Sequence, residues 1–186
     1  VSTVPNIPNW AWHEYGMRVG FWRLLAYLEA HGLKASAAIT ATVCEGAGEP
    51  VAAAMRDAGW GFMGHGYHQQ ALHTVENQRE NISKSFDVLR SYCGVDPKGW
   101  LGPGLHETLD TLDYLAEVGF KFVTDWPMDE QPVSMATQSE PIVAMPYTME
   151  LSDLPMMGVH QHESHVWYDR VVAQFDRLYR EGLEQP

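Results

Sequence analysis

The 186-residue sequence predicts an α/β fold in which parallel strands are joined by crossover helices, as a sheet or a barrel. Two observations carry that expectation. Helix and strand signals alternate along the chain, and the junctions AHGLKA, DAGWGF and EVGFKF repeat one device. Each ends a helix with glycine, which takes the left-handed conformation at little cost, and starts a strand at once.

The elements follow in order. MRVGFWRLLAYLEAHG places Val19, Trp22, Leu25 and Leu28 at helical spacing and stops at Gly32. LKASAAIT then reads as a buried strand. PVAAAMRDAG is a second helix ending at Gly59, and WGFMG a second strand. VENQRENISKSFDVLRSYCG is a long amphipathic helix with Ile82, Phe86 and Leu89 on one stripe. KGWLGP is a short strand, ETLDTLDYLAEVG a helix, and FKFVTDW another strand. A Pro- and Gln-rich loop leads to the strand PIVAMPY, the polar turn TMELSDLP and a final helix, HVWYDRVVAQFDRLYREG. The segment NIPNWAWHEYGMR ahead of the first helix is aromatic and polar.

At 45% apolar and 19% charged residues the composition is globular and supports one domain with a sizeable core over residues 1–186. The net charge of −12 argues against a nucleic-acid backbone or an anionic membrane as the main partner. Cys44 and Cys93 have neither CxxC spacing nor a framework pattern, so reduced thiols in a cytoplasmic protein are expected. No stretch approaches the roughly 18 apolar residues of a membrane helix, and VSTVPNIPNW lacks the regions of a signal peptide. The chain does not begin with Met, which leaves a processed, trimmed or partial product open.

In folds of this kind chemistry collects where strands end and helices begin. Functional residues should therefore follow GFM, GWL, FVT and VAMP. After GFM stand His65, Gly66, Tyr67, His68 and Gln69; His65 lies between two glycines that let backbone approach a ligand, and is either a site histidine or a satisfied structural one. His68 and His73 read as solvated or supporting residues. From His65 the i+4 position is Gln69, a poor zinc ligand, so the segment supplies half a metal site, with His65 the one strong candidate. Gly102, Pro103 and Gly104 form a turn ahead of a helix, whose free N–H groups could stabilise an oxyanion, or a plain turn. Asp125 and Trp126 pair a carboxylate with a flat apolar wall suited to a small polar ring, or else the Asp caps a loop. Glu150 and Asp153 follow the last strand; Trp12, His13, Tyr15 and Arg18 could line a pocket mouth or simply pack.

Together the strings NIPNWAWHEYGMRVGFWRLL, GFMGHGY, GWLGPGLHET, DYLAEVGFKFVTDWPMDEQP and MPYTMELSDLP resemble the polysaccharide deacetylase (NodB homology) superfamily, in particular its branch of metal-independent allantoinases and cyclic imidases. The resemblance runs over nearly all of the chain. It implies a distorted (β/α) barrel with fewer strands than the regular eight-fold one. Deacetylase members hydrolyse N-acetyl groups with a divalent metal, usually zinc, held by an early-strand Asp and two histidines in His-[Ser/Thr]-x-x-His. The allantoinase-like branch opens the ring of a small cyclic amide, urea or imide.

Carried over by residue, His65 matches the first motif histidine, Gly66 replaces the Ser or Thr, and Gln69 stands where the second histidine should be. The early acidic strand should precede VPNIPNW and a later strand ending in His should follow DRLYREG. The expectation is an incomplete barrel lacking its first and last strands in this chain, with exposed strand edges that a homo-oligomer is one way of covering. The Gln69 departure favours the allantoinase-like branch, which needs no cofactor; the deacetylase alternative needs zinc or another divalent metal, and a non-catalytic binding module is the remaining reading. Without a metal, His65 would act as general base or donor, Gln69 would bond the substrate's amide edge, the Gly102–Gly104 turn would polarise the oxyanion, and Glu150 would carry a proton to the leaving nitrogen. Tyr67, Pro103, Asp125, Trp126, His13 and Arg18 complete the expected substrate contacts of a C–N hydrolase acting on a small molecule.

Overall fold

Short runs of small and apolar residues build one open sheet, and the first four of them follow helices stopped at glycine. The structure, a computed structural model, describes residues 6–184. The strands are β1 (Ser36–Ile39), β2 (Gly61–Gly64), β3 (Gly99–Trp100), β4 (Phe122–Val123), β5 (Val133–Met135) and β6 (Ile142–Ala144). They lie in the order β1-β2-β3-β4-β6-β5 without closing. Neighbours from β1 to β6 are parallel, and β5 joins the edge antiparallel to β6. The fold is the expected α/β class, an open sheet of the distorted-barrel kind.

The helices are α1 (Ile7–Tyr15), α2 (Phe21–Ala30), α3 (Glu49–Asp57), α4 (Gln78–Cys93), α5 (Thr111–Val118) and α6 (Ser164–Glu181). Gly32, Gly59 and Gly119, at the three repeated junctions, all have positive φ (64°, 72° and 112°). At α4 the Asn77 side chain accepts from the Glu80 N–H and donates to its carboxylate, closing the first turn.

Register aligns Ile39, Gly64, Trp100, Val123 and Ala144 in one buried row across the sheet. Its contents alternate in size. Trp100 is fully buried and packs edge-on to Phe120 at 5.3 Å, within a core shared with Leu72, Ile82, Phe86 and Leu115. Gly64 leaves the space for this: a Cβ there would stand 2.5 Å from Trp100 and 2.8 Å from Phe120.

Three local expectations differ from the structure. Residues 7–30 form an almost continuous helical run, α1 and α2 being joined by a wide turn at Gly16–Gly20. α1 buries no residue, so no apolar stripe announces it; its start signal is Asn6, whose side chain accepts from Asn9, with proline in the first turn. The loop between β4 and β6 contains β5, which at three residues is too short to show a period. The helix expected from Glu107 begins at Thr111 instead, because the Thr111 hydroxyl accepts the Thr108 N–H and both threonine hydroxyls donate to Gln78 Oε1.

The chain divides into two compact units between Met145 and Pro146. The second contains single turns at Met149–Leu151 and Leu154–Val159 and helix α6, tied by Trp167 Nε1 donating to the Leu151 carbonyl at 2.7 Å. Among the described residues no helix is long and apolar enough to cross a membrane.

Because Gly64 has ordinary backbone angles, space alone demands glycine there. Gly64→Ala should destabilise the protein by about 1–3 kcal/mol, read as a lower midpoint in urea denaturation at unchanged slope.

Candidate functional site

Parallel pairing brings the carboxyl ends of β1, β2, β3, β4 and β6 to one edge, so the residues that follow the buried row become neighbours. His65 follows Gly64, Leu101 and Gly102 follow Trp100, and Thr124 and Asp125 follow Val123. Their backbone still pairs beyond the strands: Leu101 N–H donates to the Gly64 carbonyl and Thr124 N–H to that of Trp100.

His65 is half-buried, and its Nδ1 is hydrogen-bonded to the Leu101 carbonyl. A carbonyl only accepts, so in the neutral ring Nδ1 carries the proton and Nε2 the lone pair. The tautomer thus follows from the end of β3. One residue on, the Gly102 N–H donates to both carboxylate oxygens of Asp125, at 2.8 and 2.7 Å. Gly102 has extended backbone (φ −70°), and its bareness is a matter of room: a Cβ would lie 2.5 Å from Asp125 Oδ2 and 3.4 Å from Trp100 Nε1.

Asp125 is buried, and beside it stands Glu107, an acid that the strand-end expectation did not single out. Trp126 Nε1 donates to Glu107 Oε2 at 2.6 Å. The other oxygen, Oε1, is buried without a donor among the described residues, and the indole N–H of Trp100 is likewise buried without an acceptor. Burial first, and then the Asp125 carboxyl beside it, push the Glu107 carboxyl up to about 9. Asp125 is also raised by burial, but the Glu107 proton, the Gly102 N–H and the charge of His65 work against that shift. Burial thus pushes both carboxyls towards the protonated form, Glu107 to about 9.

The other expected residues are dispersed. Tyr67 is half-buried; its hydroxyl donates to Glu45 at 3.1 Å and the Lys84 ammonium lies 3.8 Å from its ring centre. Gln69 and His68 are exposed. Pro103 is buried and Gly104 exposed in a single turn, Pro103–Leu105, which stands apart from the start of α5. The expectation of free N–H groups at a helix start is corrected on two counts: only one short turn begins there, α5 starting at Thr111, and the Gly102 N–H is engaged by Asp125. His13 and Arg18 are exposed on the first helical run, and Glu150 and Asp153 belong to the second unit, where Glu150 is exposed. A cavity of about 400 Å³ at the opposite, amino-terminal edge of the sheet is lined by Trp60, Phe62, Lys98 and Phe122 and by none of these residues.

For a divalent metal the described donors do not suffice. Gln69 offers an amide where the resemblance calls for a second histidine, and among the described residues no three His, Cys, Asp or Glu side chains gather to hold an ion. Cys44 and Cys93 are free thiols, and burial raises both.

Linkage gives the acid pair a signature. An unfolded Glu107 loses its proton near 4.5, whereas the folded one holds it to about 9. Its contribution to stability is complete below the first value and is lost as pH rises through the second, with a slope of at most about 1.4 kcal/mol per pH unit. Glu107→Gln, which cannot ionise, should flatten the fall in thermal midpoint across that window.

Comparison with known proteins places these features. A curated Schizosaccharomyces pombe protein, provisionally named a polysaccharide deacetylase, is 26% identical over 195 residues, covering 92% of this chain and 59% of its own. The crystal structure of Puue allantoinase is similar with a TM-score of 0.88 at 24% identity, covering 100% of this chain and 63% of that one. A provisionally named polysaccharide deacetylase from Pseudomonas aeruginosa PAO1 follows with a TM-score of 0.84 at 24% identity, over 98% of this chain and 62% of that one. The chain thus spans about three-fifths of the length of each relative. The sequence pattern of the polysaccharide deacetylase family matches residues 12–123, which run from α1 to the end of β4 and take in His65, Gly102 and Glu107. With more than half of its length inside that pattern and the matching open sheet, this chain belongs to the polysaccharide deacetylase family.

Proposed function

We propose that the protein is a hydrolase of non-peptide C–N bonds that opens a small cyclic amide, ureide or imide. The observation that carries this reading is a histidine of fixed tautomer beside a buried acid pair, at a strand edge whose described donors do not make a metal set. Family membership supports the C–N chemistry, and the fold shared with an allantoinase supports the ring substrate.

Opening such a ring requires a proton to leave the attacking water, charge to grow on the carbonyl oxygen, and a proton to reach the departing nitrogen. His65 Nε2 takes the first proton, its ring held from behind by the Leu101 carbonyl. The Asp125 carboxylate favours the imidazolium so formed, since the two charges attract. Trp126 offers the flat wall for the ring, Tyr67 and Gln69 its polar contacts, and the His65 imidazolium returns its proton to the leaving nitrogen.

The second reading, a metal-dependent deacetylase of an N-acetylated carbohydrate, draws on the family description itself. It needs ligands for an ion in addition to His65. Ring-opening of allantoin and simple cyclic imides by the full-length gene product, before and after exhaustive chelation, separates the two. Turnover that survives chelation is the expected result. Loss on chelation with recovery on zinc would install the deacetylase-type site, and inertness in both states, with N-acetylated sugars also refused, would leave a binding module.

His65→Ala supplies the companion test. A general base contributes about 10²- to 10⁴-fold, so kcat should fall by at least about 10²-fold while the far-ultraviolet circular dichroism stays that of the parent.

A further inference from the structure

We infer that Glu107 is a positioning residue: a neutral carboxylic acid that donates to Asp125 and accepts from Trp126, so that Asp125 carries the negative charge of the site beside His65. The role of that charge rests on the hydrolase reading above; the placement of the proton does not.

Two carboxyl groups within hydrogen-bonding reach cannot both be ionised in a buried setting. Their surroundings decide which keeps the proton. Asp125 receives the Gly102 N–H on both oxygens, so its anion is served by a fixed backbone dipole, and it stands where it can act on His65. Glu107 receives one indole N–H, on Oε2, and nothing on Oε1. An ionised Glu107 would leave a buried oxygen bare; a protonated one turns that oxygen into a donor with Asp125 as its acceptor. Of the titratable groups, Asp125 from the end of β4 acts on Glu107 directly, His65 from the end of β2 acts on Asp125, and His106 is next in sequence.

The arrangement forms a chain of single-direction bonds. The Trp126 indole donates to Glu107 and the Gly102 N–H donates to Asp125 from the neighbouring strand end; the inferred Glu107 proton, donated to Asp125, joins the two. Asp125 is gripped from two sides, and its position is set by β3 and by the segment that precedes α5. Glutamine fits the same place: its carbonyl accepts from Trp126 and its amide donates to Asp125. Aspartate does not, because one methylene fewer cannot reach both partners.

The test ranks three variants of the full-length protein on its ring substrate. Glu107→Gln should keep kcat within about fivefold of the parent, whereas Glu107→Asp and Glu107→Ala should each lose about 10²-fold in kcat, with KM changed far less. The opposite ranking, an active Glu107→Asp and an inert Glu107→Gln, would make Glu107 a proton donor in the reaction and overturn the inference. If Glu107→Ala does not fold, the Gln–Asp pair decides alone, since each retains a polar group of similar shape. Carboxyl carbon NMR reads the proton without any substrate: at pH 7 Glu107 should be protonated and Asp125 ionised, and the reverse assignment would sink the proposal. Inertness towards every ring with the expected NMR state would refute the hydrolase reading and leave the proton assignment standing.

Discussion

The candidate site depends on one contact, the Gly102 N–H donated to the Asp125 carboxylate. It joins the ends of two adjacent parallel strands, and each of its requirements reaches further into the molecule. The N–H must lie open to an approaching carboxylate, which calls for a residue without a side chain. The carboxylate must be buried, and Glu107, buried beside it, is pushed up first by its own burial and then by Asp125. A hydrogen bond to a charged group contributes about 1.5–3 kcal/mol where a neutral one contributes about half as much. The ends of β2, β3 and β4 are therefore linked in series, from the His65 ring to the Leu101 carbonyl and from Gly102 to Asp125. Backbone supplies one partner at each link, so the spacing of the side chains follows the sheet's own register.

Much of this was legible in the sequence because it rests on local signals. Glycine stops and apolar stripes located α2 to α6 and five of the strands, and strand-end reasoning reached His65, Gly102 and Asp125. Other features were hidden for physical reasons. α1 buries none of its residues and so shows no period, and β5 is shorter than two repeats of the strand pattern. Glu107 was read as the opening residue of a helix, where an acid is the ordinary choice for the macrodipole. Threonine-to-glutamine bonds around Thr108 and Thr111 instead delay that helix by four residues. Applying the strand-end expectation to the whole segment from Leu101 to Asp110 would have included it. The reading of Gly102 failed differently. Its N–H looked free because the acid that takes it lies 23 residues further along.

On the proposed hydrolase reading, charge stabilisation comes from a buried acid that shares one proton with another. A single anion fixed beside a histidine can act on a nascent imidazolium without an ion, provided that solvent does not screen it. The low exposure of Asp125, at 9%, meets that condition.

The row that holds the sheet together has a consequence for how this sequence can vary. Gly64, Trp100 and Phe120 divide one fixed volume among them, so none of the three is free to change size alone. A larger residue at position 64 would be tolerated only with a smaller ring at 100 or 120, making those substitutions non-additive. His65 is covalently the next residue. Variation in the core therefore cannot drift gradually beneath the site: it must proceed by paired exchanges, and the histidine's position is inherited from whichever packing solution the lineage has adopted.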